Sequence, residues 1–352
     1  MTDYRRLSSW LTEAGGWHEP LEIRELRGMR GVVATAPIAP GSQLAEIPRR
    51  LLINAMTALD GLAARQIRAG LDEANEVTQL AAWLLVEQRD PGSVFRPYLE
   101  TLPRSFPQFP LHATPEDVAL LDGSLVGAML AHQRAEVTAD HARLVADASW
   151  ARSIGFDEFL WARTCVVSRT FKLAIDGSDG RVLAPFVDML NHERGTSTRW
   201  HYDPDGQVFR LIAHRAYQPG EEVCGSYGLK PNMYLLLHYG FSIDDNDADE
   251  AVIGSSEQYR VMKDSSEPFA QLMLAKLRAR CRGEATARAV LADAARAGLA
   301  RFSTSLAEDE ALLAGEGLSP VARNFVIARI GEKCVLHAWL DLAAHGPTAL
   351  FE

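Results

Sequence analysis

The chain has 352 residues, 47% of them hydrophobic, and its 36 basic and 46 acidic residues leave a net charge of −10. The length suggests about two domains, and the apolar content is ample for packed cores, which excludes a wholly disordered chain. The acidic balance excludes nucleic-acid binding through bulk positive charge, and the longest useful apolar run, Leu80–Val86, is far short of the roughly 20 residues a membrane helix needs. Residues 1–11 mix Asp3, Arg5 and Arg6 with Trp10 and lack the apolar core of a signal peptide, and no Asn-x-Ser/Thr sequon occurs. The expectation is a soluble cytoplasmic protein, with no membrane or nucleic-acid partner and a monomer favoured.

In chain order, Gly31–Thr35 reads as a strand, Ile38-Ala39-Pro40-Gly41 as a turn, and Leu44–Ile47 as a second strand closed by Pro48. Residues 57–165 read as helical. Val77, Leu80, Ala81, Leu84 and Leu85 follow helical spacing. Thr114-Pro115-Glu116-Asp117 has the capping hydroxyl, first-turn proline and acids of a helix start. Phe159, Ala162, Cys165 and Val166 predict a helix ending near Ser168. Residues 181–241 return to strands and tight turns such as Asp203-Pro204-Asp205-Gly206 and Gln218-Pro219-Gly220. Beyond the acidic link 244–250, read as a solvated loop, the alanine-rich remainder of 242–352 reads as helical. A β core split by a helical insertion and followed by a helical tail is an α+β chain. It fits neither an alternating βαβ unit nor a helical bundle.

Familiar catalytic signatures fail. Gly225-Ser226-Tyr227-Gly228 is not a nucleophile elbow, His192-Glu193 lacks the second histidine of a zinc protease, and there is no Walker loop. The four cysteines, Cys165, Cys224, Cys281 and Cys334, share no metal-ligand spacing and read as reduced thiols, so no metal is expected. Gly28-Met29-Arg30-Gly31 alone reads as a plain turn.

Three segments change that reading when taken together: Gly28–Thr35 with the turn after it; Pro185-Phe186-Val187-Asp188-Met189-Leu190-Asn191-His192; and Tyr217–Gly228, running on to Asn232 and Tyr239-Gly240-Phe241. In order and content they resemble the SET-domain protein methyltransferases, most closely the subgroup typified by the Rubisco large-subunit lysine methyltransferase. The tail segments Ser303–Leu313 and Ala328–Leu336 are similar to that subgroup's helical substrate-binding domain. The resemblance covers roughly residues 15–345.

The resemblance implies a β-rich SET core split by a helical insertion, with a C-terminal all-helical domain. Its parts fall at residues 1–55 (N-terminal helix and first part of the core), 56–165 (insertion), 166–245 (second part, with the active site) and 246–352 (substrate-binding domain). It also implies S-adenosylmethionine as cofactor and methyl transfer to a protein side chain, with the segment holding Asn191 and His192 threaded through a loop beside the cofactor, an unusual arrangement.

Residue by residue, Tyr227 matches the family's active-site tyrosine. A tyrosine of ordinary pKa ~10 is a poor base at neutral pH, so its role is to orient the nitrogen and offer electronegative surface to the methyl. Asn191 and His192 match the family's Asn-His pair, whose backbone reads the adenine edge while the asparagine side chain meets the methionine part of the cofactor. Asp188 stands at the family spacing before them. Gly28, Met29 and Arg30 form the first cofactor loop, with main-chain contacts expected from Met29 and Arg30. Ser168-Arg169-Thr170-Phe171 resembles the family's Ser-Arg-x-Phe, which puts Arg169 near cofactor and substrate and Phe171, with Ser168 and Val187, in the lysine channel. A histidine-methylating relative carries asparagine at the position of Phe171 and tryptophan at that of Val187, so both residues here point to lysine. Phe241 either closes the cofactor site or belongs to the core. The expected activity is protein-lysine N-methylation of a lysine-containing segment of a protein partner. The rivals are a histidine methyltransferase of the same fold and a non-catalytic SET-like binding protein.

Overall fold

The computed structural model describes residues 4–26, 28–59, 74–175, 177–195, 197–254, 259–263 and 268–345. The predicted helical stretch 57–165 therefore includes residues 60–73, which lie outside the described residues, as do residues 346–352 of the predicted helical tail. The chain divides into two compact units, residues 1–105 with 137–228, and residues 106–136 with 229–352.

The first unit opens with helix α1 (Tyr4–Glu13), which buries Leu7 and Leu11. Strands β1 (Leu21–Leu26) and β2 (Met29–Ala34) form an antiparallel hairpin, turned at Gly28, whose φ of 80° lies in the left-handed region glycine tolerates. The other side of β2 meets residues 221–223: Val223 N–H donates to Val32 O at 2.8 Å and Ala34 N–H to Glu221 O at 2.9 Å. Strand β3 (Gln43–Pro48) pairs with β7 (Val208–Ala213), and β7 with β6 (Thr198–Asp203), giving a three-stranded antiparallel sheet. Along β7, Phe209, Leu211 and Ala213 are buried at every second position, as a strand with one face on the core requires. Strands β4 (Phe171–Ile175) and β5 (Ser178–Val182) make another hairpin.

Within the same unit, helices α2 (Glu76–Arg89) and α6 (Phe156–Arg169) belong to the insertion, as do the short α3 (Arg96–Leu99) and α5 (Leu125–Asp147), whose residues divide between the two units. Asn75 caps α2 through Thr78 N–H at 3.0 Å, and a buried polar joint of Thr78, Asp140 and Arg163 (Arg163 Nη1–Asp140 Oδ2 2.7 Å) ties the insertion's helices together.

In the second unit, α4 (Pro115–Ala119) starts at Thr114, whose hydroxyl accepts Asp117 N–H, as its sequence predicts. Helices α7 (Asn232–Tyr239), α8 (Pro268–Arg280), α9 (Glu284–Leu299), α10 (Leu306–Ala314) and α11 (Pro320–His345) follow. A two-stranded hairpin, β8 (Glu250–Ile253) with β9 (Tyr259–Met262), stands where the sequence reads as helical. Its four-residue strands are too short to show an alternating pattern, and the fold class is unaffected.

The acidic link needs correcting. Asn246, Ala248 and Asp249 are buried, and Asp249 accepts Asn232 N–H at 2.7 Å and Asn232 Nδ2 at 2.9 Å. Asp249 thus satisfies an orphan donor at the positive end of α7, which explains a buried acid in a segment that composition marks as solvated. Gly331 in α11 leaves room for that carboxylate, since a Cβ there would collide with it.

Deeper in this unit lies a closed ionic cluster. Asp309 is 0% exposed and accepts from Arg329 Nε at 2.8 Å, Arg329 Nη2 at 2.5 Å, Lys333 Nζ at 2.5 Å and Thr304 Oγ1 at 2.7 Å. Lys333 also donates to Thr304 O at 2.6 Å. Breaking one partner of a buried ion pair leaves an uncompensated charge. Asp309→Ala is therefore expected to lose about 3–5 kcal/mol of unfolding free energy in urea titration, whereas Asp293→Ala, whose ion pair with Arg296 is exposed, should stay within about 1 kcal/mol of the parent. Equal losses for the two would refute the cluster's structural role.

Candidate active site

Two chain segments meet in the first unit. Phe186 has a φ of 75°, a conformation rarely adopted by a bulky residue, and its ring stacks on His18 with centroids 4.2 Å apart. The turn that follows, Val187–Met189, faces Asp188 inward, and residues 191–193 then run beside Gly225. Gly225 N–H donates to Asn191 O at 2.8 Å, Glu193 N–H donates to Gly225 O at 3.1 Å, and His192 and Gly225 form a parallel bridge. Two more contacts fasten Tyr227 to the same strand of residues. Its N–H donates to His192 Nδ1 at 3.1 Å, and its hydroxyl donates to Leu190 O at 2.8 Å. The His192 and Tyr227 rings stack 5.0 Å apart. Burial lowers the pKa of His192, opposed by the Gly225 backbone, and its Nδ1 acts as an acceptor. The imidazole is therefore neutral at pH 7. With its one proton committed to Leu190, the Tyr227 oxygen can only accept from anything else.

Asn191 is held on two sides. Its Nδ2 donates to Arg30 O at 2.8 Å and to Glu222 Oε1 at 2.7 Å. Both amide hydrogens are thereby used, and only Oδ1 remains for a ligand. Glu222 reaches Asn191 across Gly31, where a Cβ would lie 2.6 Å from Glu222 Oε1. The sequence supplies Glu222 within its Pro-Gly-Glu-Glu turn but carries no sign of this role, because its partners are 31 and about 190 positions away along the chain.

A third layer lies behind Asp188. Arg169, at the end of α6, is 8% exposed, and its Nη1 donates to Asp188 O at 3.2 Å. Tyr98 in α3, fully buried, donates from its hydroxyl to Asp188 Oδ2 at 2.6 Å. Tyr98 is a site residue that the sequence did not reveal. Burial raises the Asp188 pKa, against the pull of Arg169 and Tyr98, and raises that of Tyr98 well above its ordinary value. Among the described residues, Asp188 Oδ1, Arg169 Nε and Arg30 Nε find no hydrogen-bond partner although all three are buried. Cys165 behind them is pushed up to about 12 by burial, which keeps it an inert thiol.

Of the remaining predicted residues, Phe171 packs edge-on against Trp200 and Phe209, with centroids 5.1 and 5.4 Å apart. Val187 is wholly buried, and the Ser168 hydroxyl bonds back to Thr164 O at 2.7 Å within α6. Gly28 sits in the β1–β2 turn and the Met29 side chain is exposed. Phe241 belongs to the second unit, where its ring lies 6.4 Å from that of Tyr239. Among the described residues no group of three His, Cys, Asp or Glu side chains is placed to hold a metal ion.

The SET domain family matches residues 29–228, more than half the chain, and the Rubisco LSMT substrate-binding family matches residues 246–336. The chain belongs to the SET-domain family. The pair of matches is that of the Rubisco LSMT type. "SET domain-containing protein 4" of Artemia parthenogenetica is 30% identical over 265 residues, 70% of this chain and 64% of that protein. "Actin-histidine N-methyltransferase" of Gallus gallus is 26% identical over 284 residues, 76% of this chain and 47% of that protein. The chain thus spans between about half and two thirds of the length of these relatives. Two solved structures share the fold. One is the SET domain of LSMT bound to lysine and AdoHcy (TM-score 0.83, 19% identity), covering 99% of this chain and 92% of that one. The other is Rubisco LSMT bound to AdoMet (TM-score 0.82, 19% identity), covering 99% and 93%.

The geometry of this SET domain makes Glu222 the brace of Asn191. Glu222→Ala is expected to lose about 1 kcal/mol of unfolding free energy, since a part-buried amide hydrogen is left without its protein partner. Glu222→Gln, which keeps an acceptor, should lose less. Equal losses in urea titrations of the two variants would exclude the hydrogen bond as the cause.

Proposed function

We propose that this chain is a protein-lysine N-methyltransferase that takes its methyl group from S-adenosylmethionine. The observation that carries the reading is the Tyr227 hydroxyl, pinned on Leu190 O beside the Asn191-His192 pair. Residues present fit such a cofactor: the buried Asp188 Oδ1 and Arg169 Nε, which have no partner among the described residues, are complementary to a ligand that carries both an ammonium and a carboxylate. Asn191, His192 and the β1–β2 turn at Gly28 would hold it. When bound, the cofactor supplies an electrophilic sulfonium methyl.

The chain's own task is to bring a neutral amine into line with that methyl, which is mainly positioning. A lysine in water has a pKa of ~10.4, and an apolar surround favours its neutral form. The Phe171, Trp200 and Phe209 cluster offers such a surround. Its aromatic faces suit the aliphatic stem of a lysine and attract a methylated ammonium. The Tyr227 oxygen, able only to accept, presents negative surface where positive charge is carried in. His192 is neutral with Nδ1 occupied by a backbone amide, so proton removal falls to solvent rather than to a dedicated base.

A protein substrate would be recognised by residues 246–336, the stretch that matches the substrate-binding family. Among the described residues no helix is long and apolar enough to cross a membrane. A second reading, histidine methylation, draws support from the similarity to the actin-histidine N-methyltransferase of Gallus gallus. Phe171 and Val187 favour lysine.

Incubation of the protein with isotopically labelled S-adenosylmethionine and a cell lysate, followed by mass spectrometry of labelled peptides, is expected to place the label on lysine Nζ. Label on an imidazole nitrogen would establish the second reading instead. Tyr227→Phe is expected to keep its fold by circular dichroism and lose turnover by ~100-fold or more, the scale for one polar group aimed at a reacting centre. Near-parental turnover would remove Tyr227 from the mechanism.

A further inference from the structure

The sequence predicts main-chain contacts from Arg30 to the cofactor; in the structure its carbonyl accepts from the Asn191 amide. The side chain poses a separate question. Arg30 is the second residue of β2, and its Nε is buried without a hydrogen-bond partner among the described residues. A buried arginine normally finds a carboxylate or a carbonyl, because its transfer from water is costly unless paired. Arg30 has instead a second arginine within electrostatic reach. Burial and the Arg169 charge together pull its pKa down to about 10, against the weaker pull of Asp188, Tyr4 and Tyr227. It is still charged at neutral pH.

Arg169 shares the condition. Its Nη1 donates to the Asp188 carbonyl, while its own buried Nε also lacks a partner. Among the described residues Asp188 does not neutralise the pair, since its Oδ2 is taken by Tyr98 and its Oδ1 is unpartnered. Two guanidinium groups within electrostatic reach of each other, each with a buried Nε that lacks a partner among the described residues, form a site short of one anion. The planar fork of donors on each matches a carboxylate better than a point charge would.

We propose that the Arg30 side chain, beside Arg169, binds the carboxylate at the amino-acid end of S-adenosylmethionine. This rests on the cofactor reading above and adds to it a side-chain contact from the start of β2. It accounts for the unpaired Nε atoms, for the tolerance of like charges in a buried place, and for an arginine where a small residue would let the backbone approach unaided.

The test is calorimetric titration of the full chain with S-adenosylmethionine and with decarboxylated S-adenosylmethionine, which retains the sulfonium and adenosine but lacks the anion. The parent is expected to prefer the carboxylated ligand. Arg30→Met is expected to weaken S-adenosylmethionine by about ten- to a hundredfold, the range of charge-assisted hydrogen bonds, and to leave the decarboxylated ligand almost unchanged. Without ligand, the same variant should melt at a higher temperature than the parent, because it removes an unpaired buried charge. Arg30→Lys should retain part of the preference.

Equal weakening for both ligands would make Arg30 a packing residue and overturn the proposal. So would unchanged affinity for both, including the case in which only the KM of a peptide substrate rises. A parent that binds neither ligand would remove the cofactor reading itself.

Discussion

The site depends on one clasp, the fastening of residues 190–193 to residues 222–227. Gly225 pairs with Asn191 and Glu193 through the backbone, Glu222 takes one hydrogen of the Asn191 amide, and Tyr227 closes the other end through its amide and hydroxyl. Singly, each such bond contributes on the order of 1 kcal/mol net. Together, in a mostly buried place, they form a network whose members would cost more to leave unmade than they contribute when made. The clasp also holds strain. A bulky residue at positive φ carries a penalty of roughly 1–3 kcal/mol, and Phe186 stands in that conformation because its ring is buried against His18. The turn it starts sends Asp188 inward toward Arg169 and Tyr98 instead of outward to solvent.

Buried charge is handled in two opposite ways in this protein. In the second unit Asp309, Arg329, Lys333 and Thr304 satisfy one another, and Glu332 accepts both Leu125 N–H at 2.7 Å and Arg301 Nη2 at 2.9 Å. Such closed networks fix how helices register and have nothing to offer a ligand. In the first unit the group around Asp188 is left open, with an unpartnered atom on each of Asp188, Arg169 and Arg30 among the described residues. Satisfied polar clusters are a matter of architecture. Unsatisfied ones mark where something else belongs.

What the sequence disclosed follows from how local each signal is. Thr114 as a cap, the end of α6 near Ser168 and the strands at Gly31 and Leu44 depend on neighbours a few residues away, and they read correctly. Tyr227, Asn191 and His192 stood out because they sit in short, ordered motifs. Tyr98 lies in a four-residue helix of the insertion, with its partner 90 positions later, so nothing near it announces a role. Glu222 was visible as part of a turn, yet its function is to reach back across Gly31, a relation only the folded chain contains. The burial of Asp249 was hidden for the converse reason. Its neighbours are acidic and polar, while the helix terminus it serves begins 17 residues before it.

The interleaving of the two units has a consequence for the order in which the protein can be made. Residues 106–136 interrupt the first unit but pack with residues 229–345, so Leu121, Val126 and Leu130 wait for Leu236 and Phe325 to complete their core. At synthesis rates of about 5–20 residues per second, the roughly 200 residues separating Leu130 from Phe325 take about 10–40 s to emerge. The clasp needs residues up to Tyr227, so it can close only about halfway through that interval, with Phe325 still roughly 100 residues from synthesis. On a ribosome, then, every residue of the clasp is made before the last residues that complete the core of the second unit.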